Sequence, residues 1–292
     1  MNKVIGSAKL ELRKKTVPLL KRLRNASVFS CLFLSVVVLL LFVPFYIMVV
    51  TSLKTEGQIL GNFWAVSRPP AWGNYIRAWG AIHGYFLNSV KVTGLSVLGI
   101  IIVSVFGGYA FGRYEFRFKN TLFMCLMAFQ MIPASLLLIP SFLNITSLGL
   151  YDSHWGVIFP NIAGSSIMGI LLTRGFVAGL PASIFESAYI DGAKEFTVLT
   201  KITLPLCVPI IGTLTVFNLF GIFNQFMWPY IVISRNSMMT VPIGLAKLSG
   251  QYGVNFGFQM AGYTIVSIPL VIFFASTMKI YVSGVTAGAI KA

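Results

Sequence analysis

The chain has 292 residues, 57% of them hydrophobic and only 10% charged. A water-soluble domain is normally about a quarter charged, so this composition excludes an ordinary soluble globule and points to lipid as the solvent. The net charge of +15 raises nucleic acid as a partner, but eight of the 22 basic residues crowd ahead of the first apolar stretch without interleaved aromatic or polar readers, which argues for membrane retention instead.

Residues 1–26 carry Lys3, Lys9, Arg13, Lys14, Lys15, Lys21, Arg22 and Arg24 and read as a basic cytoplasmic segment. Within it, leucines and Val17 alternate with the charges over 9–24, which fits a helix on the inner membrane face or a mobile basic tail. Val28 to Val50 is too long for a signal-peptide core and no small-residue cleavage site follows it, so it reads as an uncleaved first span.

Runs of about 20 mainly apolar residues predict spans at 27–53, 88–112, 121–143, 155–173, 205–227 and 261–282. The fold class is therefore all-α integral membrane, with six transmembrane helices over 27–283 and a cytoplasmic tail at 284–292. Pro44, Pro133, Pro140 and Pro269 fall inside these spans; they fit a water-lined pathway or ordinary kinks and close packing. With the N-terminus inside, sixteen Lys and Arg face the cytoplasm against five outside, with Lys91 near the outer end of span two. The outer loop 54–87 carries Trp64, Trp72, Tyr75 and Trp79, suited to an interfacial layer or a docking surface.

Several chemistries lack their residues. Cys31, Cys125 and Cys207 are far apart and read as packing residues in spans, while His83 and His154 are single and predicted outside, so a metal site is not expected. No acidic residue falls clearly at mid-bilayer, where a proton-driven carrier keeps a titrating carboxylate. No phosphate-cradling G-x-x-x-x-G-K-[ST] run occurs, so the chain is not expected to be an enzyme or to hold a cofactor.

The loop 179–205, between predicted spans four and five, is the most informative stretch. It reads as two short helices joined at Gly192, a break that glycine's backbone freedom permits. Ser183 followed three residues later by Glu186 fits a capping box. Ile184, Phe185 and Ala188 give the first helix an apolar side; Phe196, Leu199 and Ile202 do so on the second. Such helices either pack on their own spans or enter a groove on a partner.

The run from Glu186 to Pro205 resembles the E-A-A-x-x-D-G-A…I-x-L-P motif of ABC importer permeases. Glu186, Ser187 and Ala188 stand at the E-A-A positions, followed by Asp191, Gly192 and Ala193, with Ile202, Leu204 and Pro205 closing the pattern. Ser187 replaces the usual first Ala, and Ile184-Phe185 stands where relatives often have acidic residues. Asn88-Ser89, Gly108 to Arg113, Pro133, Ile139-Pro140, Leu148 to Leu150, Trp228-Pro229 and the final Thr286 to Lys291 are similar to the carbohydrate-uptake branch, and within it to the maltose-type second permease.

That resemblance implies the loop docks into an ATPase. Glu186 would pair with a basic residue of that partner, beside its local role as a cap; Asp191 would pair with the partner or simply end its helix. It further implies a second homologous permease, two ATPase subunits that bind the ATP and Mg, an extracytoplasmic solute-binding protein and a sugar or oligosaccharide cargo, in a bacterial cytoplasmic membrane with both termini inside. Outer charges at Arg68, Arg77, Arg235 and Lys247 admit an acidic oligosaccharide. Asn218, Phe220, Phe223, Asn224, Gln225, Trp228 and Tyr230 are candidates for a sugar route, since aromatic faces stack on sugar rings and amides bond hydroxyls; helix-to-helix hydrogen bonding is the simpler account of the amides. In maltose-type relatives the companion permease carries the main substrate site.

Overall fold

A computed structural model describes residues 28–251 and 255–289, with side chains described outside 249–251 and 279–289. The basic segment 1–26 and the last residues, 290–292, lie outside the described residues, and with them the expected interfacial helix. Among the described residues there is helix, turn and loop, and no strand.

The first helix, α1 (Val28–Ser52), exposes apolar side chains on every side, including Phe29, Leu32, Leu39, Leu40 and Phe42. A helix apolar all round needs lipid or a protein interior around it. After a short α2 (Glu56–Gly61) comes α3 (Gly73–Arg113), the longest helix at 41 residues. At 1.5 Å per residue it measures about 60 Å, roughly twice the hydrocarbon core, so it extends well beyond the expected span at 88–112. The stretch 73–87, expected as outer loop, is therefore helical. Asn74, Ala78 and Ile82 recur every fourth residue on its buried side, while Trp79 stays half exposed.

The expected third span is not one helix. It consists of α4 (Lys119–Gln130) and α5 (Leu138–Ser147), separated at 131–137. Pro133 disfavours helical backbone at Ile132, which explains the stop; Pro140 sits in the first turn of α5, where a missing N–H costs nothing. The fourth, α6 (His154–Ala178), is continuous despite Pro160 and begins at Ser153, whose Oγ accepts from the Gly156 N–H.

Beyond α6 the chain forms α7 (Ala182–Ile190) and α8 (Glu195–Thr197), which continues through a wider turn at Val198–Thr203 into α9 (Leu204–Leu206). At Cys207 it bends by 69° into α10 (Val208–Phe223). Short α11 (Met227–Val232) and α12 (Val241–Gln251) precede α13 (Phe256–Ala289). Among the described residues four helices are long and apolar enough to cross a membrane, or five if the bent pair counts as one span. Six continuous spans are thus not present among the described residues, because the third is broken.

The most extensive helix pairing among the described residues is α3 against α6. Small residues make it possible: Gly107 faces Ile170, Gly108 faces Thr173 and Gly169 faces Ser104. Without a hydrophobic drive between helices in lipid, such close backbone approach supplies the contact. Cys207 alone of the three cysteines is buried; Cys31 and Cys125 are exposed, which corrects their reading as packing residues of this chain.

Candidate functional site

The loop between α6 and α10 is built from the inside outward. Phe185 is fully buried and Ala188 nearly so, in a cluster with Val105 and Tyr109 of α3, Val177 of α6, and Val198, Leu199 and Cys207. The Arg113 guanidinium carbon lies 4.0 Å from the centre of the Phe185 ring, a cation–π contact that covers the ring's outer face. The apolar side of α7 thus packs on its own spans. On the second helix, Leu199 is buried and Ile202 partly so, but Phe196 is 68% exposed and Val198 takes the interior position. Phe196 is accordingly no part of that packed face, because the chain enters the wider turn at Val198 and rotates it outward.

Gly192 has a positive φ of 77°. The Ala193 N–H donates to the Ala188 carbonyl at 2.9 Å and the Gly192 N–H to the Tyr189 carbonyl at 3.0 Å. This pair of bonds is the Schellman stop, with glycine at the left-handed position. Asp191 is the last residue before it, its backbone N–H bonded to the Ser187 carbonyl. Gly192 does join two helices, as expected.

The capping box does not form. Pro181 precedes the first helical residue, Ala182, so Ser183 already lies inside α7, and no side chain caps that end. Ser187 Oγ instead donates to the Ile184 carbonyl. Glu186 is released from any capping duty. With Ser187, Asp191 and Gly192 it is exposed, and Ala193 is half buried. Among the described residues neither the Glu186 nor the Asp191 carboxylate has an ion-pair partner.

One residue that sequence reasoning passed over ties the loop to α3. Glu195 accepts the Tyr109 hydroxyl on Oε2 at 2.9 Å and the Tyr189 hydroxyl on Oε1 at 2.7 Å. Tyr109 is 86 residues away in sequence, so no local pattern could have revealed the pair.

The expected route residues scatter. Asn218 is buried, its Nδ2 bonded to the Leu214 carbonyl at 2.8 Å, and it borders a cavity of about 790 Å³ between the α4–α5 break and the middles of α6 and α10. Gln130, Ser165 and Thr213 also line this cavity among apolar side chains such as Phe129, Met131 and Phe217; among the described residues no ionisable side chain does. Phe220 packs edge-on to Phe274, and Phe223 is buried against Phe86. Asn224 is exposed and bonds the Phe220 carbonyl. Trp228 is core, its indole N–H directed at the Gly156 carbonyl at 3.3 Å, and Tyr230 stacks on Phe226 at the surface. Gln225, in the loop after α10, accepts from Asn161 of α6 at 3.1 Å, which ties that loop to α6. Only Asn218 of these borders that cavity, while Phe223 and Asn224 line a second one of about 400 Å³; Gln130, Ser165 and Thr213 were missed because single polar residues in apolar runs carry no pattern.

Of Arg68, Arg77, Arg235 and Lys247, the charges expected to admit an acidic cargo, three are engaged internally. Arg235 Nε pairs with the Asp152 carboxylate at 2.6 Å, Arg77 donates to Asn74, and Lys247 Nζ donates to Asn236.

Comparison with known proteins completes the site. The chain is 31% identical over 251 residues to a probable ABC transporter permease protein, YurM, of Bacillus subtilis, covering 85% of this chain and 83% of that one. It is 30% identical to the arabinooligosaccharides transport system permease protein AraQ of the same organism, covering 89% and 94%. It is also 30% identical to the trehalose/maltose transport system permease protein MalG of Thermococcus litoralis, covering 85% and 91%. Its fold is similar to a chain of a bacterial ABC transporter involved in import of the acidic polysaccharide alginate, with a TM-score of 0.78 at 21% identity over 88% of this chain and 96% of that one. Residues 104–286, which contain the α7–α8 loop, the cavity and the last part of the α3–α6 seam, match one family throughout, and the chain belongs to the binding-protein-dependent transport system inner membrane components.

Proposed function

We propose that this chain is a membrane-spanning permease subunit of an ATP-driven importer, and that its cargo is a sugar or oligosaccharide. The observation that carries the reading is the α7–α8 hairpin: it is anchored from within by Phe185 and Ala188, yet holds Glu186 and Asp191 exposed and unpaired. Two exposed carboxylates without an ion-pair partner, on a turn anchored from within, suit a partner with complementary charge. Residues Glu186, Ser187, Ala188, Asp191, Gly192 and Ala193 form the docking turn, with an ATPase subunit as the occupant; the ATP and Mg belong to that partner.

Six crossings follow if α4 with α5 makes the third and α8–α9 with α10 the fifth, beside α1, α3, α6 and α13. Non-helical backbone at membrane depth is tolerated where it lines a cavity, and the 131–137 break does so. Excess basic charge on the loops supports cytoplasmic termini. A second, related permease would complete the pathway, and a solute-binding protein would deliver cargo from outside; one similar fold comes from an alginate transporter solved with an alginate pentasaccharide-bound periplasmic protein. ATP-driven closure of the ATPase pair would move α7 and α8 as levers and reorient the spans, which requires contacts that differ between the two states.

Several relatives are named for uncharged oligosaccharides. The cavity at Gln130, Ser165, Thr213 and Asn218 offers amide and hydroxyl groups without charge, and the outer cations Arg77, Arg235 and Lys247 are engaged within the fold. Both favour an uncharged sugar over an acidic one. Reconstitution tests the reading: sugar uptake by the assembled complex should require ATP. Flux through this chain alone, without any ATPase, contradicts it and favours an ion-coupled carrier.

A further inference from the structure

We infer that Glu195 is a positioning residue that locks the docking hairpin to the cytoplasmic end of α3, so that a pull on the hairpin moves that helix as one body. This rests on the permease reading above and adds the path by which force leaves the loop.

The hairpin has an inherent weakness. Its two arms meet at Gly192, whose positive φ has no side chain packed against it, and α7 is held to α3 mainly by apolar contacts around Phe185. Apolar packing holds helices together without fixing their direction, because it is not directional. A lever secured only in this way would slip or flex at the turn under load.

Glu195 removes that freedom. Its carboxylate sits at the first residue of α8, beyond the turn, where helix backbone N–H groups favour negative charge. From there one oxygen accepts Tyr189 of α7 and the other accepts Tyr109 of α3. Bonds to an ionised acceptor are short, directional and stronger than neutral ones. A single carboxylate thus bridges both arms of the hairpin and the end of a helix that spans the membrane. Tyr109 is 3% exposed and packs edge-on to Tyr114, its ring centre 5.7 Å away, so the α3 end of the bridge is itself rigid. Glu195 lies outside the docking turn, and its two hydrogen-bond partners among the described residues are Tyr109 and Tyr189.

The test uses the assembled complex reconstituted in vesicles, with sugar uptake and ATP hydrolysis measured together. In Glu195→Ala the ATPase subunits should remain bound, while sugar moved per ATP falls about tenfold. Glu195→Gln, which keeps one acceptor oxygen, should lie between wild type and Ala. Tyr109→Phe should lower the ratio alone but add little on top of Glu195→Ala, because both changes remove the same bond. A ratio unchanged in Glu195→Ala overturns the inference, as do independent, multiplicative losses in the double variant. If the ATPase never engages the wild-type chain, the permease reading fails instead, and the two failures are distinguishable.

Discussion

Two turns of this molecule use the same backbone device for opposite ends. At the end of α5, the Leu150 N–H bonds the Ile145 carbonyl and the Gly149 N–H bonds the Thr146 carbonyl, with Gly149 at φ 69°. At the end of α7, Ala193, Ala188, Gly192 and Tyr189 repeat the pattern. Beside the first turn the carboxylate of Asp152 is fully engaged inside the chain. Asp152 accepts the backbone N–H groups of Ser234 and Arg235 and the Arg235 guanidinium, Tyr151 meets Ser234, and His154 Nε2 lies 2.9 Å from the Met238 carbonyl. Of the three carboxylates beside the second turn only Glu195 is bonded among the described residues, while Glu186 and Asp191 are left open. Identical local geometry therefore does not decide the role; the unspent charges do.

The comparison can be broken most severely at Glu186. Glu186→Lys should lower ATP-driven uptake by on the order of 100-fold, since like charges at a docking face cost several kcal/mol, while membrane insertion is unchanged. Uptake assays beside a fractionation of the membrane check both halves, and unchanged uptake removes Glu186 from its assigned role.

A sharper version exchanges the two glycines. Gly192→Ala and Gly149→Ala each force a side chain into left-handed backbone at a local cost of about 1–2 kcal/mol. Thermal unfolding should register both about equally, but only Gly192→Ala should weaken ATPase binding. Equal effects on binding would mean the two turns are functionally alike.

The smallest effect concerns the Asp152–Arg235 clamp. The Asp152 carboxyl is held below its ordinary range by the Arg235 N–H first and then, against burial, by the Ser234 N–H and the Arg235 side chain. A depressed folded value means the stabilisation is present above the unfolded value of about 3.9 and is lost as pH falls through the folded one. Hydrogen exchange over 234–240 should therefore accelerate only below about pH 4. Asp152→Asn should raise it about two- to fivefold at neutral pH and abolish the acid dependence, with uptake unaffected.

Much of this was readable before any coordinates. Long apolar runs located α1, α6, α10 and α13, and the spacing of Glu186, Asp191 and Gly192 identified the loop and its break. Elsewhere, average composition misled. Arg77, His83 and the glycines at 80 and 84 diluted the apolar signal of 73–87, although Asn74, Ala78 and Ile82 already traced one helical face. The Ser183–Glu186 spacing matched a capping box, but with Pro181 at the N-cap the helix starts two residues too early for Ser183 to cap it. The same signature at Thr55 and Gln58 does form, with the Thr55 N–H bonded to Gln58 Oε1 at 3.0 Å. Glu195 with Tyr109, and the cavity groups Gln130, Ser165 and Thr213, come together only through tertiary packing, which no window along the chain can sample.

The most direct measurement places one cysteine at Ser187 in a chain with Cys31, Cys125 and Cys207 replaced, and labels it with a membrane-impermeant maleimide in inside-out vesicles. Assembly with the ATPase subunits should shield the thiol and permit its cross-linking to them. Equal labelling with and without those subunits would leave the docking turn facing open water and contradict the account.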